Sequence, residues 1–426
     1  MLPTQLLVVL SAASADSFAA PGFCSVRLGT PPCDLLPAGH PPLQQVTLSD
    51  IPLLLARRLG AAVAGYTLTA KRERSLLASA LLPPLPRHGL CATPIALPAR
   101  GDPPHVLEQS LRRCDVIMHK ATDQLAAPEV MPIAGRLAIA RACHIYPPSH
   151  PNTLTPHSLP CLPGCAAEVE ALLACAAREG MPVLDPPRLL ATVFDRVAIA
   201  AVLARMPPLL GGVPTRGPTT AEVQALDPGH VAAALAGAGI TLPCLLKPRV
   251  ACGTPKSHHF ALLTSTSGAP AACVDVPAVA QAFVRHDGTA HKVYCFADQV
   301  LTQQRRSLPA VDAASPGVAG VVSFDALHAL PTSWGPPSDN ASDSGGAATA
   351  ADAPSAPLLS MEAVHAMAAW LRRETGLSLF GFDVLVEAHT GAHLVVDLNY
   401  FPSATGVDGA PQALASAVSA AAQRLP

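Results

Sequence analysis

Lysine is nearly missing from this chain. Of 28 basic residues only five are lysines: Lys71, Lys120, Lys247, Lys256 and Lys292. Charged residues amount to 14% and aromatics to 4%, both low, and the formal net charge is −2. That balance excludes a basic coat for nucleic acid; a polyanionic ligand would have to be met by a local pocket. No apolar run approaches the roughly 20 residues that span a bilayer, so no membrane span is expected. The twelve cysteines show no repeating spacing, and Cys161 and Cys165 form the only close pair, with no His/Cys pair following at zinc-site spacing. They read as reduced, buried thiols in a reducing compartment, and the expected location is cytoplasmic. No basic segment precedes the short apolar run Leu6 to Leu10, and the first arginine is Arg27. Residues 1–58 therefore read as an unstructured leader, with organelle targeting as the alternative. There is no Walker A loop and no internal repeat.

Half of the 426 residues are apolar, enough for the cores of two or three domains. Alanine and proline are over-used. Where drift has replaced most lysines, the survivors are candidates for positions that need a compact ammonium. Ala61 to Leu68 reads as a buried strand, and Cys114 to His119 as a second with Lys120 just past its end. The proline-rich stretch 83–104 between them reads as a surface loop. A helix is expected from near Ala166, a short strand at Pro182–Leu184, and one helix from about Arg188 to Arg205 closed by Pro207-Pro208. From Pro243 onward the pattern is of hairpins. Cys244–Lys247 and Phe260–Leu263 are strands joined by a loop holding Gly253, and Gln281–Val284 and Lys292–Ala297 flank the turn pair Asp287-Gly288. Residues 335–357 lack apolar content and read as a disordered insert. Ser360 can cap a helix with apolar positions Val364, Met367, Ala368 and Leu371, stopped by Gly376.

The last two strands, Leu379–Glu387 and His393–Asn399, carry the first chemical signal. A symmetric hairpin places Glu387 opposite His393, Leu385 opposite Val395 and Asp383 opposite Asp397. Asp397 and Asn399 share a face, and directly opposed Cβ atoms lie about 5 Å apart. Two carboxylates that close repel, and a hard divalent cation such as magnesium removes the problem. The alternative is two surface residues on a wet face. Lys247 lies in an apolar strand and needs an anionic partner there. The following loop, Arg249 to His259, could close over a triphosphate with its backbone N–H groups. His258 in that loop is a phosphate ligand, a base or a plain loop histidine. Lys71, Arg72 and Lys120 are equally compatible with solvated charge.

Taken in order, these segments resemble the inositol-tetrakisphosphate 1-kinase family, also described as inositol 1,3,4-trisphosphate 5/6-kinases. The match begins at Gly65-Tyr66-Thr67-Leu68-Thr69-Ala70-Lys71-Arg72 and continues at Asp115-Val116-Ile117-Met118-His119-Lys120. Asp185-Pro186 and Asp195-Arg196 follow, then Lys247-Pro248-Arg249-Val250-Ala251-Cys252-Gly253-Thr254 with Ser257-His258. Gln281-Ala282-Phe283-Val284 leads to His291-Lys292, and Arg306-Ser307-Leu308 comes next. Leu379-Phe380-Gly381-Phe382-Asp383 and Asp397-Leu398-Asn399-Tyr400-Phe401-Pro402 complete it. Single segments are weak signals; their order over roughly residues 60–410 is specific.

The resemblance implies an α/β (α+β) chain with an ATP-grasp fold and an N-terminal α/β domain. Residues 59–184 would form that domain, on the inositol phosphate side, 185–280 a central ATP-grasp subdomain and 281–426 the C-terminal one, carrying the insert. It implies a monomeric, magnesium-dependent kinase, with two ions, that uses ATP to phosphorylate an inositol polyphosphate. By resemblance Lys247, His258 and Lys292 are catalytic. Arg196, Lys247, Gln281, Ala282, Phe283, Val284, Lys292 and Ser307 hold ATP; Asp383, Asp397 and Asn399 hold magnesium; Lys71, Arg72, Lys120, His258, Lys292, Asn399 and Ser403 meet the inositol phosphate. The chain departs from the family pattern at Arg72, where a second lysine is usual, by one extra residue before Ser257, and at Ser403, where glycine is usual. The rivals are an ATP-grasp carboxylate–amine ligase, a hexakisphosphate kinase making pyrophosphates, and a non-catalytic inositol phosphate-binding protein.

Overall fold

A computed structural model of the chain describes residues 10–11, 24–27, 35–37, 62–67, 90–95, 111, 113–119, 165–252, 254–311, 320–327, 330–331, 334 and 358–423. Lys71, Arg72, Lys120, Gly253 and the expected insert 335–357 lie outside them.

Three short strands, β1 (Leu10–Ser11), β2 (Cys24–Arg27) and β3 (Leu35–Pro37), pair in that order within the stretch expected to be an unstructured leader. Strands of two to four residues are too short to leave a period in the sequence. Next comes a wholly parallel sheet. It contains β4 (Ala62–Thr67), β5 (Leu90–Pro94), β6 (Val116–His119) and, after helix α1 (Cys165–Arg178), β7 (Val183–Leu184). The strand order is β5-β4-β6-β7. β5 occupies the proline-rich stretch expected to be a surface loop; its partner β4 supplies the bonds that the local sequence does not advertise.

The single helix expected over 188–205 is two: α2 (Pro187–Phe194) and α3 (Arg196–Leu203). Asp195 between them is extended (φ −128°, ψ 117°), bridges to Val250, and caps α3 by accepting from the Val197 N–H at 2.8 Å. Capping and a cross-chain bridge outweigh helix continuity there.

Two further sheets follow. Strands β8 (Leu209–Leu210), β9 (Val213–Arg216), β10 (Thr220–Val223), helix α4 (Pro228–Ala238), then β11 (Cys244–Pro248), β12 (His259–Leu263) and β13 (Ala278–Ala282) lead to β14 (Thr289–Phe296), β15 (Gln299–Arg306) and β16 (Val321–Asp325). Helix α5 (Met361–Thr375), strands β17 (Leu379–Val386) and β18 (His393–Tyr400), and helix α6 (Ala410–Ala422) complete the chain. The five-stranded sheet has the order β10-β13-β11-β12-β16 and the six-stranded one β15-β14-β17-β18-β9-β8. β8 and β9, from before residue 280, lie in the six-stranded sheet, and β16, from after it, lies in the five-stranded one. Asp287-Gly288 is not the turn of a hairpin. β13 pairs β10 and β11 in one sheet while β14 pairs β15 and β17 in the other, so the segment between them is the crossing from sheet to sheet.

α5 begins and ends as its sequence requires. Ser360 accepts from the Ala363 N–H at 3.3 Å, Gly376 takes the left-handed φ of 72°, and Val364, Met367, Ala368 and Leu371 are buried. One core joins the parallel sheet to the six-stranded sheet. Ala64, Val116 and Met118 share it with Phe380, Phe382 and Leu398, and with Ala413, Leu414 and Val418 of α6. A separate core lies between α4 and the five-stranded sheet, around Val231, Leu235, Leu246 and Ala280.

Gly381 has a packing reason. A Cβ there would sit 2.7 Å from the Val293 carbonyl oxygen and 2.6 Å from Cγ of Pro402. Gly381→Ala is expected to lower stability by about 1–3 kcal/mol through overpacking, measured as a shift in the urea midpoint.

Candidate active site

The hairpin β17–β18 pairs Asp383 with Asp397, as the sequence suggested. Toward the turn the register differs by one. Val386, not Glu387, pairs His393, and Leu385 pairs Leu394 rather than Val395. A bulge beside Asp383 absorbs the difference and leaves Val396 as the extra residue. The tighter turn is closed by Gly391 at φ 67°, whose N–H donates to the Glu387 carbonyl at 2.9 Å.

On the other side of β17, Lys292 of β14 pairs Asp383, and its Nζ lies 3.0 Å from Asp383 Oδ1. Asn399 donates from Nδ2 to Asp397 Oδ2 at 3.1 Å, so its own amide oxygen remains an acceptor beside the carboxylates. Burial, together with the nearby Asp397 charge, pushes the Asp383 carboxyl above its ordinary range although Lys292 pulls it down. Burial also acts on Asp397, but Arg196, Lys247 and Lys292 outweigh it and hold that carboxyl below its ordinary value. The donor set is two facing carboxylates and one amide oxygen, all hard oxygen ligands, with one carboxylate destabilised by the other. It fits magnesium on chemistry and charge. Among the described residues no group of three or more His, Cys, Asp or Glu side chains is placed to hold a metal; the third oxygen here is an amide.

Lys247 enters from β11. It is 7% exposed, and its Nζ donates to Gln281 Oε1 at 2.7 Å and approaches the Val396 carbonyl at 3.5 Å. The bulge thus turns an unpaired strand carbonyl toward the lysine. Burial pulls the ammonium down to about 8, with the Asp397 charge opposing it. Phe260 lies under both Lys247 and Arg196, at 5.4 and 5.0 Å from ring centroid to cation.

Arg196, the first residue of α3, ties down the loop after β11. Nη1 donates to the Pro248 and Val250 carbonyls at 2.6 and 2.8 Å, and Nη2 to the Ser257 carbonyl at 3.0 Å. These bonds hold both ends of the loop that contains Gly253. Arg249 reinforces the anchor through a buried ion pair with Asp195 at 2.8 Å and a second one with Glu222. His258 closes the short turn Pro255–His258, half-buried, and its carbonyl accepts from the Ala326 N–H at 2.9 Å.

Gln281 and Ala282 end β13, and Phe283 and Val284 follow it outside the strand. Phe283 packs beside Leu308 and Trp334, and Val284 against Leu385 and Leu394. A cavity of about 410 Å³ lies at this crossing, lined by His286, Asp287, Gly288, Ser307 and Pro309 among others. His286 bonds the Val284 carbonyl through Nδ1 at 2.7 Å, so that nitrogen carries the proton. Its Nε2 is a buried acceptor without a hydrogen-bond partner among the described residues. Ser403 is half-buried, its hydroxyl 3.1 Å from that of Thr405.

The structure therefore gathers Lys247, Gln281, Lys292, Asp383, Asp397 and Asn399 at the facing sheets, with Arg196 behind them. Lys71, Arg72 and Lys120 lie outside the described residues. Sequence reasoning missed three contributors: Arg249 as an anchor, His286 as an unmatched acceptor, and Tyr400. The last residue of β18, Tyr400 bonds Asp185, Leu184 and the His119 carbonyl, joining the parallel sheet to the hairpin. Only its place beside Asn399 could have drawn notice.

Residues 216–417 match the sequence model of the inositol 1,3,4-trisphosphate 5/6-kinase ATP-grasp domain. The chain is 34% identical over 245 residues to inositol-tetrakisphosphate 1-kinase 1 of Zea mays, covering 56% of this chain and 67% of that one. It is 28% identical over 375 residues to inositol-tetrakisphosphate 1-kinase 1 of Oryza sativa subsp. indica, covering 87% and 86%. Inositol-tetrakisphosphate 1-kinase 6 of the same rice is 25% identical over 373 residues, 85% of this chain; the match spans 61% of that relative's length. The fold is ATP-grasp, an α+β architecture. The chain belongs to the inositol-tetrakisphosphate 1-kinase family. No helix among the described residues is long and apolar enough to cross a membrane.

Proposed function

We propose that this chain transfers the γ-phosphate of ATP, with magnesium, to a hydroxyl of an inositol polyphosphate. The proposed acceptors are inositol 3,4,5,6-tetrakisphosphate at position 1 and inositol 1,3,4-trisphosphate at position 5 or 6. The carrying observation is the joint at the end of β18. In a parallel sheet ligands bind outside the carboxyl ends of the strands, where the strand order reverses. Here that switch point lies between β4 and β6, and the end of β6 is hydrogen-bonded to Tyr400, the neighbour of Asn399. Lys71 follows β4 in the chain and Lys120 follows β6. A strand-end crevice tied to the hairpin, with two lysines following its strands in sequence, suits a kinase for a phosphorylated acceptor.

Phosphoryl transfer needs positioning and charge neutralisation more than covalent help from the protein. Two magnesium ions, held by Asp383, Asp397 and Asn399, would supply positive charge at the phosphate oxygens. Lys247 meets those oxygens from the opposite sheet. Arg196 holds the loop closed and adds a fixed charge behind it. Gln281 through Val284, with His286 and Ser307, line the place for the nucleoside. Lys292, paired with Asp383, and His258 would receive the acceptor's existing phosphates and aim one hydroxyl, with Lys120, which follows β6 in the chain, as a further cation.

Product analysis against a panel of inositol phosphates and of amino-acid pairs tests the reading. Phosphorylated inositol is expected; an amide with free phosphate would identify a ligase instead. Lys120→Ala should raise the KM for the inositol phosphate and lower kcat/KM for it by about ten- to a hundredfold, while the KM for ATP stays within about twofold. Equal weakening of both substrates in steady-state kinetics would remove Lys120 from the acceptor site.

A further inference from the structure

Tyr400, His119 and Asp185 form a buried polar joint whose place at the end of β18 supports the reading above, but whose side-chain chemistry that reading leaves unassigned. Tyr400 is 2% exposed, His119 fully buried and Asp185 1% exposed. The Asp185 N–H donates to the Tyr400 hydroxyl at 2.7 Å. That hydroxyl has one proton and two carbonyls to give it to, His119 at 3.0 Å and Leu184 at 2.8 Å. His119 Nε2 lies 2.7 Å from the Asp185 carbonyl and is therefore the protonated nitrogen. The Asp185 carboxylate accepts the N–H groups of Ser378 and Leu379, both at 2.8 Å, at the start of β17. The rings of His119 and Tyr400 pack with centroids 5.8 Å apart.

The joint touches three separate pieces of chain: the end of β6, the end of β7, and the open ends of β17 and β18. A simple core would fill this place with apolar side chains, because each buried polar group must find a partner. The location is more telling than the bonds. The carbonyl that Tyr400 engages belongs to the peptide joining His119 to Lys120, and Tyr400 follows Asn399 directly. One phenol oxygen thus spans from the peptide that leads into the proposed acceptor cation to the strand end that carries the proposed metal ligand.

We propose that Tyr400 is a positioning residue, with His119 and Asp185 as its supports, and that its hydroxyl fixes the offset between the acceptor and the γ-phosphate so that the inositol hydroxyl is attacked and water is not. This rests on the kinase reading above. In the productive reaction the inositol oxygen forms a bond to the γ-phosphorus, the bond from that phosphorus to the bridging oxygen of ADP breaks, and the hydroxyl proton leaves to solvent. In the competing reaction water takes the place of the inositol oxygen, and inorganic phosphate is released with ADP. The two differ only in which oxygen is in line. A shift of an ångström in the acceptor therefore suppresses the first and spares the second.

The test counts ADP formed per inositol phosphate phosphorylated, with ATP, magnesium and inositol 3,4,5,6-tetrakisphosphate. The wild type should give a ratio near one. Tyr400→Phe should raise it several-fold, with the KM for the tetrakisphosphate up roughly tenfold and the KM for ATP within about twofold. His119→Ala should shift the ratio the same way, and His119→Gln, whose amide can donate where Nε2 did, should return it most of the way. The His119 pair carries the measurement if Tyr400→Phe does not fold. An unchanged ratio in Tyr400→Phe or His119→Ala, with both activities falling together, would overturn the inference and leave a structural joint. A wild type that hydrolyses ATP and never phosphorylates the inositol would instead overturn the kinase reading, and this inference with it.

Discussion

Asp383→Asn and Asp397→Asn should each lower phosphate transfer by roughly a thousandfold, the several kcal/mol expected for losing a metal carboxylate, while moving stability in opposite directions. Asp383 has its carboxyl pushed up by burial and by Asp397. A raised folded value means the ionised form costs stability, and the cost grows as pH rises from the ordinary carboxylate range through the folded value. Asp383→Asn removes that cost and should raise the melting temperature at neutral pH in chelator. Asp397 is held low by Arg196, Lys247 and Lys292 against burial. Its ionised form contributes stability that is present at neutral pH and lost as pH falls through the folded value, so Asp397→Asn should melt earlier. Magnesium should raise the melting temperature of the wild type, as any ligand of the native state does, and of neither variant. An active variant, or one whose melting still responds to magnesium, would contradict the metal assignment.

Lys247→Met should separate function from stability. The ammonium sits at about 8 instead of the ordinary 10.5, because burial disfavours its charge. A depression of that size corresponds to about 3 kcal/mol of destabilisation at pH 7. The cost is full below the folded value and is relieved as pH rises from there toward the ordinary value, where the unfolded chain also loses its proton. Methionine fills the volume without the charge. It strands the Gln281 amide oxygen, at a cost of about 1–3 kcal/mol. The expected result is a denaturant midpoint no lower than wild type, with kcat/KM for ATP down by about a hundredfold or more. A strongly destabilised Lys247→Met would mean that the lysine holds the sheets together and does not wait for phosphate.

The parts of this site that were legible in the sequence are those whose signal is local. Asp383 opposite Asp397 follows from counting outward from one turn, and the cap and stop of α5 follow from Ser360 and Gly376 alone. The same counting fails from the next residue toward the turn, because a bulge leaves Val396 unpaired and neither strand's own sequence marks it. Asp195 reads as helix because its neighbours do; only Val250 and Arg249, more than fifty residues away, make it extended. Asp287-Gly288 has hairpin chemistry, yet it lies at a sheet crossing, since each flanking strand finds better partners elsewhere. The Tyr400 joint was invisible for the same reason. Its partners lie at positions 119, 184 and 185, and no spacing within one segment announces a bond across more than two hundred residues.

On the proposed function, the facing carboxylates and the lysines around them serve transfer to an inositol polyphosphate. The direct measurement is phosphorus NMR of a mixture of the protein, ATP, magnesium and inositol 3,4,5,6-tetrakisphosphate. A new phosphate ester on the inositol ring is expected to grow in step with ADP, and to be abolished by chelator and by Asp397→Asn. ADP accompanied only by inorganic phosphate, with the tetrakisphosphate spectrum unchanged, would contradict it.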